Sequence, residues 1–166
     1  MSTSGWGDAG SVDERSGGSM LCGACIRLGA CRLGMQDQGL GDDGALRAAV
    51  VCSSEHEGGP NVAHGGWTAA VMDELLGHVP LHHDQLTVTG TLTVRFVRPV
   101  PIGRDLIGRA WRTKVDGVKW HLAGELRLAS TDALLAEAHG VWIARDRATH
   151  FAAHEAWLLE QESGPP

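Results

Sequence analysis

From Thr87 onward the chain alternates, with Val88, Leu92, Val94 and Phe96 set against Thr87, Thr89, Thr91, Thr93 and Arg95. A period of two over that length predicts a half-buried strand. Over residues 66 to about 78 the period is helical instead. Thr68, Met72, Leu75, Leu76 and Val79 make a bulky face, and Gly66, Ala69, Ala70, Asp73 and Gly77 make a stripe of small residues with one acid in it. Gly58-Gly59-Pro60 breaks the chain ahead of this helix, and residues 46–53 read as a first strand. Downstream, strands are expected over residues 104–115, 118–128 and 134–144. Asp116-Gly117 is a tight-hairpin signal between the first two, and Trp120, Leu122, Leu126 and Leu128 share one face. Strand, helix, then four strands in succession predicts an α+β architecture, an antiparallel sheet wrapped on one long helix. No internal repeat is visible.

The two ends carry weaker patterns. Residues 1–20 are poor in apolar side chains and rich in Gly and Ser, which predicts a flexible tail. Residues 22–43 combine many glycines with three cysteines and read as an irregular lead-in. The expected organisation is therefore a tail and lead-in over 1–44, one domain over 45–146, and a C-terminal tail over 147–166. Phe151, Trp157, Leu158 and Leu159 suggest a short amphipathic helix in that last part. At 166 residues the chain has room for one core.

Charge changes the picture in one respect. The formal net charge of −6 argues against nucleic-acid binding, which needs a basic stripe. The sum hides an uneven distribution: residues 1–85 carry 4 basic and 11 acidic side chains, residues 86–130 carry 8 and 3, and residues 131–166 carry 2 and 6. The middle is a basic island. Two readings stay open: a solvated strand face, or Arg95, Arg98, Arg104, Lys114 and Lys119 helping to hold an anionic ligand. No run approaches the roughly 18 apolar residues of a membrane span, and the N-terminus has no basic start or apolar signal core, so a cytoplasmic location is expected. Cys22, Cys25, Cys31 and Cys52 then read as reduced thiols. Cys22-Gly-Ala-Cys25 has a zinc-like start without a second pair, and His56 could complete a ligand set only by folding back. His82-His83 and the pair His150 and His154 lack carboxylate or thiolate neighbours at clear spacing, so no metal is expected.

The acid on the small-residue stripe needs a reason. Gly65 and Gly66 stand at the start of the helix, where unpaired N–H groups and the helix dipole favour negative charge. The segment thus offers an anion-binding turn and a carboxylate, Asp73, in one unit. Glu74 is adjacent and equally acidic, but with His78 four residues on, it reads as half of a surface pair.

His64-Gly65-Gly66 followed at this spacing by Asp73 resembles the hotdog-fold acyl-CoA thioesterases of the PaaI-like group. The resemblance continues through residues 89–101, a strand closing in Arg98-Pro99, and through Ala136-Glu137-Ala138, and it spans about residues 45–146. It implies a hotdog fold and hydrolysis of an acyl-CoA to free acid and CoA without a metal, coenzyme A being part of the substrate. It further implies Asp73 as general base or nucleophile, the Gly65 N–H as the donor that polarises the thioester carbonyl, and His64 as a catalytic residue that fixes the turn and can contact the thioester. Thr89 stands where relatives carry a hydroxyl that places the attacking water. Pantetheine would run along Arg95, Val97, Val118, Lys119, Trp120 and His121, with Gly66 and Asn61 beside the turn. The chain departs from the family at Gly58, where relatives often carry an Asn; Asn61 either substitutes for it or only shapes the loop. A site shared between protomers is implied, hence a homodimer or a dimer of dimers, with no nucleic acid and no membrane as partner. Rival readings are a non-catalytic acyl-CoA-binding hotdog protein and a hotdog hydratase or dehydratase. Trp67, Trp111, Trp120 and Trp142 leave the acyl group open.

Overall fold

The computed structural model describes residues 22–164; the tail expected over residues 1–20 lies outside the described residues. The chain begins with a short helix α1 (Gly23–Leu28), strands β1 (Met35–Leu40) and β2 (Leu46–Val51), and a 3₁₀ turn (Ser54–His56). A small ribbon of β3 (Glu57–Gly59) and β4 (Val62–Ala63) leads into the long helix α2 (Gly65–Leu81). Four long strands follow, β5 (Thr87–Phe96), β6 (Asp105–Asp116), β7 (Lys119–Leu128) and β8 (Leu134–Ala144), and then α3 (Arg147–Glu162). Six strands form one sheet in the order β1-β2-β6-β7-β8-β5, every pair antiparallel. With α2 packed along one face, this is the hotdog architecture that the sequence pattern and the resemblance both pointed to.

The core lies between α2 and the sheet. Val71, Met72, Leu75, Leu76 and Val79 are fully buried against Leu46 and Val50 of β2, Leu106 and Ala110 of β6, Leu122 and Leu126 of β7, and Ala136 and Trp142 of β8. Burial of each such side chain contributes roughly 1.5–3 kcal/mol, so this one face supplies most of the driving force. The sheet makes room for the helix at Gly124, where a Cβ would stand 2.6 Å from Leu76 Cδ1 and 2.8 Å from the Arg109 carbonyl oxygen. The small-residue stripe, Ala69, Ala70, Asp73 and Gly77, is only half-buried. The helix runs three residues past its expected end near His78. Pro80 forfeits a single N–H in the last turn, and Val79 and Pro80 are buried.

Two expectations are corrected. The stretch 22–43 is not irregular: it holds α1 and β1, the latter pairing with β2 from Met35↔Val50 to Leu40↔Leu46. The sequence Met-Gln-Asp-Gln-Gly-Leu hides this edge strand because Met35 is the one side chain it buries. The alternation in β5 also does not run through. Thr89 stands opposite Trp142 and Thr91 opposite Val141, with Gly90 bulged out between them. A one-residue slip moves side chains to the other face. Thr87 and Thr89 therefore join Leu92, Val94 and Phe96 on the side of α2, while Val88 joins Thr91, Thr93 and Arg95 outside. Thr89 and Arg95 do not share a face, contrary to the plain alternation.

The C-terminal helix α3 buries none of its residues, and Phe151, Trp157 and Leu159 stay about half exposed. Among the described residues no helix is long and apolar enough to cross a membrane.

Candidate active site

His64 is the residue that starts α2. Its backbone is extended, at φ −60° and ψ 137°, and its Nδ1 accepts the Gly66 N–H at 2.9 Å, so the imidazole caps the helix. The turn is held from behind: His64 N–H donates to the His56 carbonyl at 2.7 Å and Ala63 N–H to the Val100 carbonyl at 2.8 Å. Gly58 lies directly against it, since a Cβ there would stand 2.6 Å from His64 Cα. An asparagine at 58 would thus require the turn to move, which gives the departure at this position a steric reason. Asn61 adopts a positive φ of 60° and donates its N–H to Glu57 Oε1 at 2.6 Å. The Gly65 N–H has no partner among the described residues. It is the free donor at the positive end of the helix.

Asp73 lies two turns further along. It is half-buried rather than buried, and its Oδ1 accepts the Thr89 hydroxyl at 2.8 Å. The bulge at Gly90 is what aims Thr89 at the helix. Glu74, one position on, is committed elsewhere. Its Oε1 lies 3.0 Å from His78 Nε2, and His78 Nδ1 lies 2.5 Å from Gln38 Oε1 on β1. The hydrogen bond from His78 holds the Glu74 carboxyl below the usual range, although burial pushes the other way. This is not the surface pair expected, for the His78 side chain is only 7% exposed. The network ties β1 to α2 and leaves Asp73 as the acid facing Thr89.

The remaining expected positions do not converge on Asp73 within one chain. Arg95 lies on the outer face with its Nε 2.6 Å from Glu137 Oε1. Val97 is half-buried, its N–H bonded to the Leu135 carbonyl at 2.8 Å. Val118 and Lys119 are exposed at the β6–β7 turn, and His121 is half-buried on the outer face. Trp120 is a core residue 9% exposed, its ring 5.5 Å from the Arg112 guanidinium and 5.9 Å from the His83 ring. Much of the basic island is neutralised on the same outer face: Arg109 and Arg47 share Asp43, and Arg127 pairs with Glu125. Such exposed pairs contribute little stability.

An open cavity of about 370 Å³ adjoins the turn, lined by Leu33, Glu55, His56, Glu57, His64, Trp67 and Ala70. Glu55 and Glu57 carry no signal in the sequence for this wall, and His56 reads there only as a possible metal ligand; the three lie in the 3₁₀ turn and at the start of β3. His64, Trp67 and Ala70 recur every third residue, the one signal in the sequence for this wall.

The spacing along α2 limits what one chain can do. Asp73 follows Gly65 by eight residues, which at 1.5 Å per residue is roughly 12 Å along the axis. A carbonyl attacked by a water or carboxylate at about 3 Å, while its oxygen sits about 3 Å from an N–H, cannot span that gap.

Residues 60–134 match the family model of the Thioesterase superfamily. Among solved structures, a thioesterase superfamily protein is 27% identical over 66% of this chain at a TM-score of 0.61, and the chain spans 55% of that protein's length. The E. coli PaaI protein from the phenylacetic acid degradation operon aligns over 74% of this chain and 85% of its own, at 19% identity and a TM-score of 0.63. A Streptococcus mutans protein bound to acetyl CoA aligns over 61% and 82%, at 14% identity and a TM-score of 0.58. At such identities the last two similarities concern the fold. No curated protein matches the chain.

Proposed function

We propose that the hotdog domain of this chain, which matches the thioesterase superfamily model over residues 60–134, hydrolyses an acyl-CoA thioester to a free acid and CoA. The observation that carries the reading is the 2.8 Å hydrogen bond from Thr89 Oγ1 to Asp73 Oδ1. It fixes a carboxylate and a hydroxyl side by side, with one carboxylate oxygen still free to take a proton. Asp73 removes the proton from a water held by Thr89, or attacks the carbonyl itself to give a mixed anhydride that water then hydrolyses to the free acid and Asp73; both routes use the same oxygen. The carbonyl oxygen gains charge as the new C–O bond forms, and the Gly65 N–H of a second copy stabilises it. The C–S bond then breaks, and the CoA thiolate leaves and takes up a proton. His64 is a positioning residue: by accepting from Gly66 it holds the turn and leaves the Gly65 donor open.

A shared site is supported by the roughly 12 Å between Gly65 and Asp73 along one helix and by the position of β5 at the edge of the sheet. Phe96 on that edge strand is 57% exposed, and its ring reaches toward Gly65. The cavity beside His64 is the natural place for an acyl group. Titration of released thiol over a panel of acyl-CoAs, for wild type and Asp73→Asn, tests the reading. The amide keeps the shape of the carboxylate but can neither attack nor accept a proton, so a loss of about 10²-fold or more in kcat is expected. Saturable binding without thiol release by the wild type would point to a binding protein, and hydration of an enoyl-CoA to a hydratase.

A further inference from the structure

The lead-in segment carries chemistry that hydrolysis does not use. Cys22 is the residue that precedes α1 and Cys25 stands in its first turn. Positions three apart on a helical turn are neighbours on the helix surface, so the two side chains lie on one side of the turn. Cys25 Sγ accepts the Arg32 N–H at 3.5 Å. Both thiols are partly exposed and free. Cys31 follows the left-handed turn at Gly29, where its side chain packs on the core. Among the described residues no three His, Cys, Asp or Glu side chains converge as metal ligands.

We propose that Cys22 and Cys25 are a reversible dithiol–disulfide pair oxidised by a small-molecule disulfide, Cys22 attacking first and Cys25 closing the ring. The Cys22 thiolate attacks one sulfur of the small disulfide; that S–S bond breaks and one thiolate leaves. Cys25 then gives up its proton and its sulfur attacks Cys22 in the mixed disulfide, expelling the second thiolate. Two protein thiols and one disulfide become one protein disulfide and two small thiols, the protein losing two electrons and the reagent gaining them. The order of attack follows from the surroundings. The Cys25 backbone N–H pulls the Cys22 thiol below its ordinary range, with help from the Cys25 thiol and the Arg32 charge, whereas burial pushes Cys25 up to about 11. The ring would form beside the cavity, because the Arg32 carbonyl lies 3.4 Å from His56 Nε2 and Leu33 lines the cavity with His56. The pairing itself does not depend on the hydrolytic reading.

The test uses the full-length, fully reduced protein incubated with oxidised glutathione and followed by intact mass and peptide mapping. Wild type is expected to lose two hydrogens and yield the Cys22–Cys25 peptide, and Cys25→Ser to retain one glutathione on Cys22. Cys22→Ser is expected to slow oxidation at least about tenfold, while Cys31→Ser and Cys52→Ser keep the wild-type rate. Because α1 lies outside the core, circular dichroism of the Cys22→Ser and Cys25→Ser variants should match the wild type. A disulfide involving Cys31, four thiols of equal reactivity, or one zinc per purified chain that blocks oxidation until chelated would each overturn the assignment.

Discussion

Asp73 and Glu74 sit about 100° apart on α2, and the rest of the fold treats them differently. Glu74 meets His78 one turn on, which in turn meets Gln38 of β1. Asp73 meets only the hydroxyl of Thr89. The i,i+4 spacing made the Glu74–His78 pair readable in the sequence; its burial was not, because β1 was hidden. The pair carries a pH signature. The folded Glu74 carboxyl is held below its unfolded range, so its contribution is present above the unfolded pKa and lost as pH falls through the folded one. Part of the stability should therefore disappear in the wild type as pH falls through and below the ordinary carboxylate range, and Glu74→Gln should flatten that part of the curve. Urea midpoints measured across this range check it; parallel curves for the two proteins would show that the pair adds nothing.

At the scale of elements, the phase change in β5 decides what Thr89 can do. Deleting Gly90 would restore a continuous period of two and turn Thr89 to the outer face. The expected outcome is a kcat as low as that of Thr89→Ala, with the sheet retained by circular dichroism. A deletion variant with wild-type kcat would remove Thr89 from the mechanism. The strand itself was legible as alternation, and so were the long helix and the hairpin at Asp116-Gly117. The bulge was not, because a lone glycine in a run of threonines does not say whether it is paired. The same limit hid β1, whose residues pair by backbone while burying a single side chain. Of the candidate site, the turn and the two residues that meet, Asp73 and Thr89, could be read ahead of the structure. The inward placement of Thr89, away from the face of Arg95, followed from the bulge, and that of Trp120 in the core from its strand phase. α3 makes a complementary case, for its apolar pattern was readable yet it buries nothing. A chain ending at Asp146 should keep its Tm within about 2 °C, since surface elements without buried contacts contribute little. A drop of several degrees would mean that α3 packs on something in solution.

For the whole molecule, the decisive quantity is the length of helix between the free donor and the acid. Roughly 12 Å separates Gly65 from Asp73 along α2, and the proposed site therefore takes the turn from one copy and the Asp73–Thr89 pair from another. Gly65 offers an unusually clean way to test this. It is the first residue of α2, a position that proline favours, and the extended His64 backbone is one that proline accepts after it. A Cβ at 65 meets nothing nearer than 3.7 Å. Gly65→Pro should thus delete the N–H without disturbing the helix, lowering kcat by about 10²–10³-fold. The most direct measurement is thiol release by Asp73→Asn and Gly65→Pro chains, assayed singly and after dissociation and remixing in equal amounts. Each variant alone should be nearly inactive, and the mixture should recover about a quarter of wild-type activity, because half the dimers are hybrids and each hybrid holds one intact site. Hybrid dimers verified by mass spectrometry that release no more thiol than the single variants would contradict the account.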